Sequence, residues 1–543
     1  MNFVTEKLKH FYSDKPWLTI SNIGLSLFFP IDDVVLPWLT GRVVSSLEKR
    51  DGSWTKYLIA MIIIYLFMQS IYSSTYWHDA KLIPLMQNHI RHEMVHNYLE
   101  QFQDSYKEAS TGEVMSRFVK IPIVTTNIYE AFKNYIIPYV ISFAVTGLII
   151  SRYDKWLALA MIVMVVCVLI LVISSPNLCM NATIQQDATL AQVDEEIEDL
   201  IRNRQLVYTT DSIKDEMDRM KPYETKYASA FSLTMDCVVK TRFISIILLA
   251  IMLVVFYYGA SRGIASGKLE TGALITMISV LAQWFVILGW IAGNIREVVV
   301  DWGIIRSYEE MMKKGRAQFS TNTLDTHTNS FIPPTGLFLD HVVYRVPLRD
   351  TPIIDNFTAY IPKGEKVLIK GEIGTGKSTT LQLICNLLKP SGGAVYLDGV
   401  DLSNTSKAQL KRKIVYVPQN PILFNRSIYD NISYGLKGVT KEDIHNILDK
   451  LDLHASFPRG LEMIVGKNGS NLSGGQRQIV QCVRALLTNP EYIVLDEITS
   501  SIDQQTKAKL LKLIHIMSQN KTVIMVTHDP EMAKIATHVV EIK

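Results

Sequence analysis

Cysteine is scarce in this 543-residue chain, and net charge is nearly absent. The five cysteines, Cys167, Cys179, Cys237, Cys385 and Cys482, form an odd, scattered set with no CxxC and no Cys/His metal spacing. That argues against a disulfide framework and a cysteine-bound metal, leaving five small buried hydrophobes in a reducing compartment as the expectation. Lys and Arg number 55 against 52 Asp and Glu, a net charge of +3, so no broad basic field points to nucleic acid. Internal repeats and low-complexity tracts are missing too. The N-terminus, MNFVTEKLKHFYSDKP, lacks the apolar core and small-residue site of a cleavable signal. There Phe3, Leu8, Phe11 and Tyr12 interleave with Lys7, Lys9 and Lys15, which suits either a helix lying on a membrane surface or a solvated leader.

Apolar residues are plentiful, and they are unevenly placed. Mean hydropathy is +0.15, with nearly all of the excess before residue 295; beyond about residue 330 the composition is that of a soluble α/β domain. A membrane span needs roughly 17–25 mostly apolar residues. Six stretches approach this: 17–40, 57–77, 133–151, 155–175, 242–261 and 272–293, the first interrupted by Asp32, Asp33 and two prolines. The connections 41–56, 152–154 and 262–271 are short, whereas 78–132 and 176–241 are long, charged and rich in helix formers. The long ones read as spans that continue as helices past the bilayer and turn back. Within the second, Asp194 to Asp199 (DEEIED) reads as a solvated helix face. Residues 294–318 prolong the sixth helix, and the Ser/Thr/Asn-rich run ending at Pro333 and Pro334 reads as a linker. The expected division is a membrane domain over 1–318, a linker over 319–335 and a soluble α/β domain over 336–543.

The soluble part carries recognisable chemistry. In KVLIKGEIGTGKSTTLQLI an apolar strand (366–370) runs into a glycine loop and then a helix. Gly371, Gly374, Thr375 and Gly376 let backbone N–H groups wrap phosphates, Lys377 reaches the outer phosphates, and Ser378, followed by Thr379, is placed to ligate Mg2+. The helix N-terminus adds a favourable field for anions. Downstream, YIVLDE (492–497) is a buried strand ending in two carboxylates. Asp496 suits magnesium, and Glu497 suits a base that orients an attacking water. Between them, Ser473, Gly474, Gly475 and Gln476 in NLSGGQRQ open a helix as a second anion site.

With LSGGQ in place, the chain resembles the ATP-binding-cassette family. The resemblance covers 336–543 and implies that the second anion site faces the phosphate loop of a partner cassette, with two ATP molecules between. It also implies that Tyr344 stacks on adenine, that Gln419 senses magnesium and contacts the membrane domain, and that Asp503 lies in the loop SSID after the catalytic acid. His528 is implied to contact the terminal phosphate. The first part resembles the membrane region of an exporter of this family, and STGEVMSRFVK (110–120) resembles its first coupling helix, implied to rest near Gln419. The expected fold is a six-helix transmembrane domain with long cytosolic helical extensions, followed by an α/β P-loop ATPase domain.

Orientation follows from the nucleotide site, because the Lys/Arg bias is silent here. Cytosolic ATP places the long connections and both termini inside. The expected function is ATP-driven export of a lipid, drug-like or other amphiphilic molecule, with a peptide exporter or an ATP-gated channel or regulator as alternatives. No catalytic element is degenerate, so a homodimer suffices, with a heterodimer as the alternative; membrane lipids are the surroundings and nucleic acid is no partner. A carboxylate inside a bilayer is costly and by default faces a cavity. Asp32 and Asp33 are therefore candidates for a substrate path favouring cationic or hydrogen-bonding cargo; a helix break near headgroups or pairing with a base are the other readings. Trp284, Phe285 and Trp290 read as packing or lipid-facing aromatics. The family's usual VGERG before the signature is VGKNG here, Val465 to Gly469, which touches coupling rather than hydrolysis. A C-terminal regulatory tail and an N-terminal peptidase domain are not expected.

Overall fold

The computed structural model describes residues 9–101, 111–152, 155–265, 271–293, 297, 299–306, 308–309, 335–345, 351–372, 374–500 and 502–542. The chain divides into two compact units that meet in sequence at Gln318 and Phe319. Most of the 319–335 linker, together with Phe3, Leu8 and Ser110, lies outside the described residues.

The first unit is helical. Among its described residues, six helices or helix runs are long and apolar enough to cross a membrane. Their order is α1 (Pro16–Ser26), α2 (Pro30–Lys49), α3 (Trp54–Gln101), α4 (Thr111–Ala131), α5 (Ile137–Ser151), α6 (Lys155–Leu178), α7 (Met180–Arg202), α8 (Ile213–Ala265) and α9 (Thr271–Gly293). The first apolar stretch is split. Pro16 and Pro30 each open a helix where a missing N–H costs nothing, and the chain kinks between them over residues 27–29. Asp32 and Asp33 fall in the first turn of α2, just after that break. The third stretch starts earlier than expected, since α4 runs through a π-helical segment, Phe132–Ile136, into α5. Both long connections are helical. α3 carries the second stretch on to residue 101, and α7 and α8 pack side by side beyond the fourth and fifth. Residues 111–120, which resemble the first coupling helix, form the first part of α4, where Arg117 and Lys120 face Asp187 and Asp194 of α7 at 3.6 and 3.7 Å. α2 and α9 cross where Gly41 meets Gly272; a Cβ on either would overlap the other's carbonyl oxygen, so the two backbones touch only because both residues are small.

Two expectations change here. Cys179 and Cys237 are joined as a disulfide, Cα atoms 5.8 Å apart, tying the start of α7 to α8. An odd cysteine count does not prevent one pair, and these two residues, 58 apart in sequence, are neighbours because α7 and α8 fold back on each other. Cys385 and Cys482 are buried as expected, while Cys167 is exposed on α6. Phe11 does not face outward: it is buried among Leu82, Met86, Ile90 and Met94 of α3. Trp284 is a packing residue, fully buried and edge-on to Phe143.

The second unit is α/β. One sheet runs β2-β1-β4-β5, from β1 (Gly336–Tyr344), β2 (Ile354–Pro362), β4 (Gly392–Leu397) and β5 (Val400–Asp401), and is antiparallel. The other is parallel, in the order β6-β7-β8-β3-β9, from β3 (Lys366–Lys370), β6 (Ile414–Val417), β7 (Tyr492–Asp496), β8 (Thr522–Val526) and β9 (His538–Glu541). Every residue of β7 and β8 is buried, which is why both read as unbroken apolar runs rather than alternating ones.

Candidate functional site

In an open parallel sheet, ligands bind in the crevice beyond the carboxyl ends of the strands. The predicted chemistry gathers at that edge. The glycine loop follows β3, Gln419 follows β6, Glu497 follows β7 and His528 follows β8. The order β6-β7-β8-β3 makes them neighbours although they span more than 150 positions of sequence.

The loop after β3 turns through Gly374 and Gly376, at φ +90° and +86°, before helix α10 (Lys377–Ile384) begins. A Cβ at Gly376 would press on Ile353, so both conformation and space require glycine there. Lys377 Nζ folds back over the loop and donates to the carbonyls of Gly371 and Glu372 at 2.9 and 2.8 Å. Thr375 Oγ1 donates to the Glu372 carbonyl at 2.9 Å. Ser378 Oγ donates to Asp496 Oδ1 at 3.2 Å, and Thr379, like Ser378, lies in the first turn of α10. Asp496 is buried at the end of β7 and also accepts from Tyr416 OH at 2.9 Å. Burial pushes the Tyr416 hydroxyl up, and the Asp496 charge adds to the shift, so this phenol stays a donor. The exposed Ser378 hydroxyl beside the buried Asp496 carboxylate is a hard oxygen donor set that fits Mg2+.

Glu497 leaves β7 with φ +45°, a left-handed conformation rare for a side-chain-bearing residue. Its N–H still donates to Val526 of β8 at 2.8 Å, so the sheet holds the turn in place. The carboxylate accepts from Gln419 Nε2 at 2.8 Å, and its other oxygen lies 3.6 Å from His528 Nε2. Strain that neighbouring structure maintains is characteristic of functional positions. Tyr344 ends β1 half-buried, and its carbonyl accepts from Ile353, the residue that walls Gly376.

The signature is built differently. Ser473 caps helix α11 (Gly474–Thr488) in a reciprocal capping box with Gln476, whose side chain also donates to the Ser456 carbonyl at 2.6 Å. Gly475 lies tight against Thr506 and Ile502. Asp503 caps helix α12 (Gln504–Met517) by accepting from Thr506 N–H, which holds its carboxyl below the usual aspartate range. Ser473, Gly475, Gln476 and Asp503 thus have local partners within their own helices and loops. VGKNG forms a tight turn with Asn468 at φ +56°, a conformation asparagine tolerates.

Three positioning residues escaped sequence reasoning. Ser500 Oγ accepts from Gln419 at 3.3 Å, Tyr416 holds Asp496, and Gln478 ties Gln419's backbone to α11 through a 2.6 Å bond. Gln478 sits two positions past LSGGQ, a signal that was available.

Asp32 and Asp33 do not meet a cation among the described residues. Asp32 accepts from Tyr72 OH at 2.9 Å and Asp33 from Ser142 Oγ at 3.0 Å. The buried charge pair of this unit lies elsewhere: Lys133, in the π-helical segment, donates to Asp79 of α3, which also accepts from Asn22 at 2.8 Å, and Asn22 accepts from Tyr129 at 2.8 Å.

Residues 31–288 match the family described as ABC transporter transmembrane region, and residues 354–500 match the family described as ABC transporter. The mitochondrial iron-sulfur clusters transporter ATM1 of Debaryomyces hansenii is 31% identical over 277 residues, covering 50% of this chain and 40% of that protein. A sophorolipid transporter of Starmerella bombicola is 31% identical over 297 residues, covering 52% and 23%. The chain thus matches less than half the length of these relatives. A solved bacterial Atm1-family ABC exporter with ATP bound superposes with a TM-score of 0.81 over 96% of this chain and 94% of that one, at 20% identity, and so shares the fold. With both regions on one polypeptide, the chain belongs to the ABC transporter superfamily and has the fold of an exporter.

Proposed function

We propose that two copies of this chain form an exporter that hydrolyses ATP to move cargo across a membrane, with the cassettes and both termini in the cytosol. The observation that carries this reading is the convergence of Lys377, Ser378, Asp496, Glu497, Gln419 and His528 at one sheet edge. Lys377 is the group that exchanges its two loop carbonyls for the outer phosphates. Glu497 orients and deprotonates the attacking water, and His528, beside it, faces the terminal phosphate. Ser378, Asp496 and Gln419 are the residues that would hold Mg2+, which when bound offsets charge on the phosphates. Ser473 and Gly475 use the N-terminus of α11 to close on the ATP of the partner copy. Thr375, Gly376 and Thr379 line the phosphates and Tyr344 the adenine. Asp503, as the α12 cap, sets the loop that follows Glu497.

For cargo, the amphiphile reading rests on the sophorolipid transporter among the relatives. The iron-sulfur name of another supports an Atm1/ABCB7-type cargo as the second reading. Asp32 and Asp33, each holding only a hydroxyl donor, remain the proposed polar contacts of the path.

The test is ATP turnover by the chain purified alone into lipid nanodiscs, beside Glu497→Gln. Turnover lost in the variant supports a self-sufficient homodimer; folded protein without turnover in either overturns it. Candidate cargoes are then screened by stimulation, and unchanged stimulation in Asp32→Asn/Asp33→Asn removes that pair from the path.

A further inference from the structure

Among the described residues, one group of imidazole and carboxylate ligand atoms is close enough to share an ion: those of His10, Asp14 and His89 all lie within 4.8 Å of one another. Glu93 lies beside the two histidines of this group. Its Oε1 is 3.5 Å from His10 Nδ1 and 3.4 Å from His89 Nε2, and Asp14 Oδ2 is 3.9 Å from His10 Nδ1. Sequence spacing explains the convergence. His10 and Asp14 are four apart in the helical segment 9–14, and His89 and Glu93 are four apart on α3, so each pair shares one helix face.

Packing fixes the two pairs against each other. Phe11, between His10 and Asp14 in sequence, is buried in the α3 core with Leu82, Met86, Ile90 and Met94. The His10 and His89 ring centroids lie 5.5 Å apart with the planes 17° from parallel, so one ring turns about its side-chain bonds for both nitrogens to face one ion.

The separations suit a shared centre: they exceed the 2.6 Å of the directly bonded pairs His454–Asp449 and His341–Asp340 and resemble the 3.6 Å between His528 and Glu497. His89 Nε2 is shielded yet has no hydrogen bond. A tetrahedral zinc with bonds of about 2.0–2.2 Å sets its ligand atoms about 3.4 Å apart. The two contacts of Glu93 match that edge, and the exposed Asp14 needs only a small side-chain movement. Two imidazoles exclude the all-oxygen preference of Mg2+ and Ca2+ and favour a borderline first-row ion. Two carboxylates balance its charge.

We propose that His10, Asp14, His89 and Glu93 form a divalent-metal site of the zinc class that staples the N-terminal segment to α3. The test uses the untagged full chain in nanodiscs, stripped with chelator and dialysed against zinc, with cobalt as the spectroscopic probe. One zinc per chain and the intense visible bands of tetrahedral cobalt are expected. His10→Ala and His89→Ala should each weaken zinc binding by at least about tenfold. His92→Ala, an exposed neighbour on the same helix, should leave it unchanged. Zinc should also raise the melting temperature of the native chain but not of Asp14→Asn/His10→Ala, a surface pair that leaves the core intact. Substoichiometric zinc in the native chain, octahedral cobalt spectra, or equal retention by the histidine variants would each overturn the site.

Discussion

The two units handle carboxylates in opposite ways. In the cassette, Asp496 and Glu497 stand at the open ends of parallel strands, with partners that are themselves exchangeable: a serine hydroxyl, a glutamine amide and an imidazole 3.6 Å away. In the membrane unit, Asp79 is closed off by Lys133 and Asn22, and Lys133 has no exposed surface at all. A site that must bind and release an anion keeps its polar groups loosely held at an edge. A helix bundle facing lipid has no water to satisfy a stray charge, so the bundle supplies Asp79 with its cation and amide internally.

Four measurements would break or sharpen that contrast. The largest effect belongs to Glu497→Gln, expected to lower turnover by about 10²–10⁴-fold while ATP still binds, read by single-turnover hydrolysis beside nucleotide binding. A small loss would mean that the open edge is not where chemistry happens. Next is Lys133→Met, which leaves Asp79 buried without its cation, at a cost of about 3–5 kcal/mol by thermal melting. Adding Asp79→Asn should recover much of that, and additive losses instead would show that the two residues do not act as a pair. Third is the link between α7 and α8. Thiol titration of denatured, unreduced protein should find the three free cysteines, Cys167, Cys385 and Cys482, and reduction should release the other two. Cys179→Ser is expected to lower stability by about 2–4 kcal/mol.

The smallest effect concerns Asp301, in the helical residues beyond α9. Burial pushes its carboxyl up from the ordinary 3.8 to about 6, against a lowering hydrogen bond from Asn127 and with Glu297 adding to the rise. Between those two values the folded state binds more protons than the unfolded one, so stability falls as pH rises from 3.8 to about 6. Asp301→Asn should flatten that segment of the melting-temperature profile, and an unchanged slope would assign it to another group.

The same contrast explains what the sequence made legible. Phosphate chemistry is local: GEIGTGKST, LSGGQ and YIVLDE each carry strand, turn and helix signals beside the reactive residue, so the contents of the site were readable without a structure. Its supports were less so. Ser500 and Gln478 matter because of what they touch, and neither residue type stands out at its position. In the membrane unit, apolar length revealed the spans, but Asp32 and Asp33 drew attention because they interrupt one. Asp79 and Lys133 lie just outside the second stretch and at the edge of the third, where a charge looks ordinary. Only helix packing makes them a buried pair. The Cys179–Cys237 link was hidden for the same reason, since neither spacing nor parity encodes which helices run side by side.

Two helices of the membrane unit are long beyond any need to cross. α3 has 48 residues and α8 has 53. At about 1.5 Å per residue, α8 measures about 80 Å against a hydrocarbon layer of about 30 Å. Such a rod is a lever whose fulcrum lies in the bilayer: a tilt of about 5° moves one end relative to the other by about 7 Å, given that rise. Motion too small to disturb packing around the fulcrum becomes, at the far end, a displacement of about 5 Å, close to a whole helical turn.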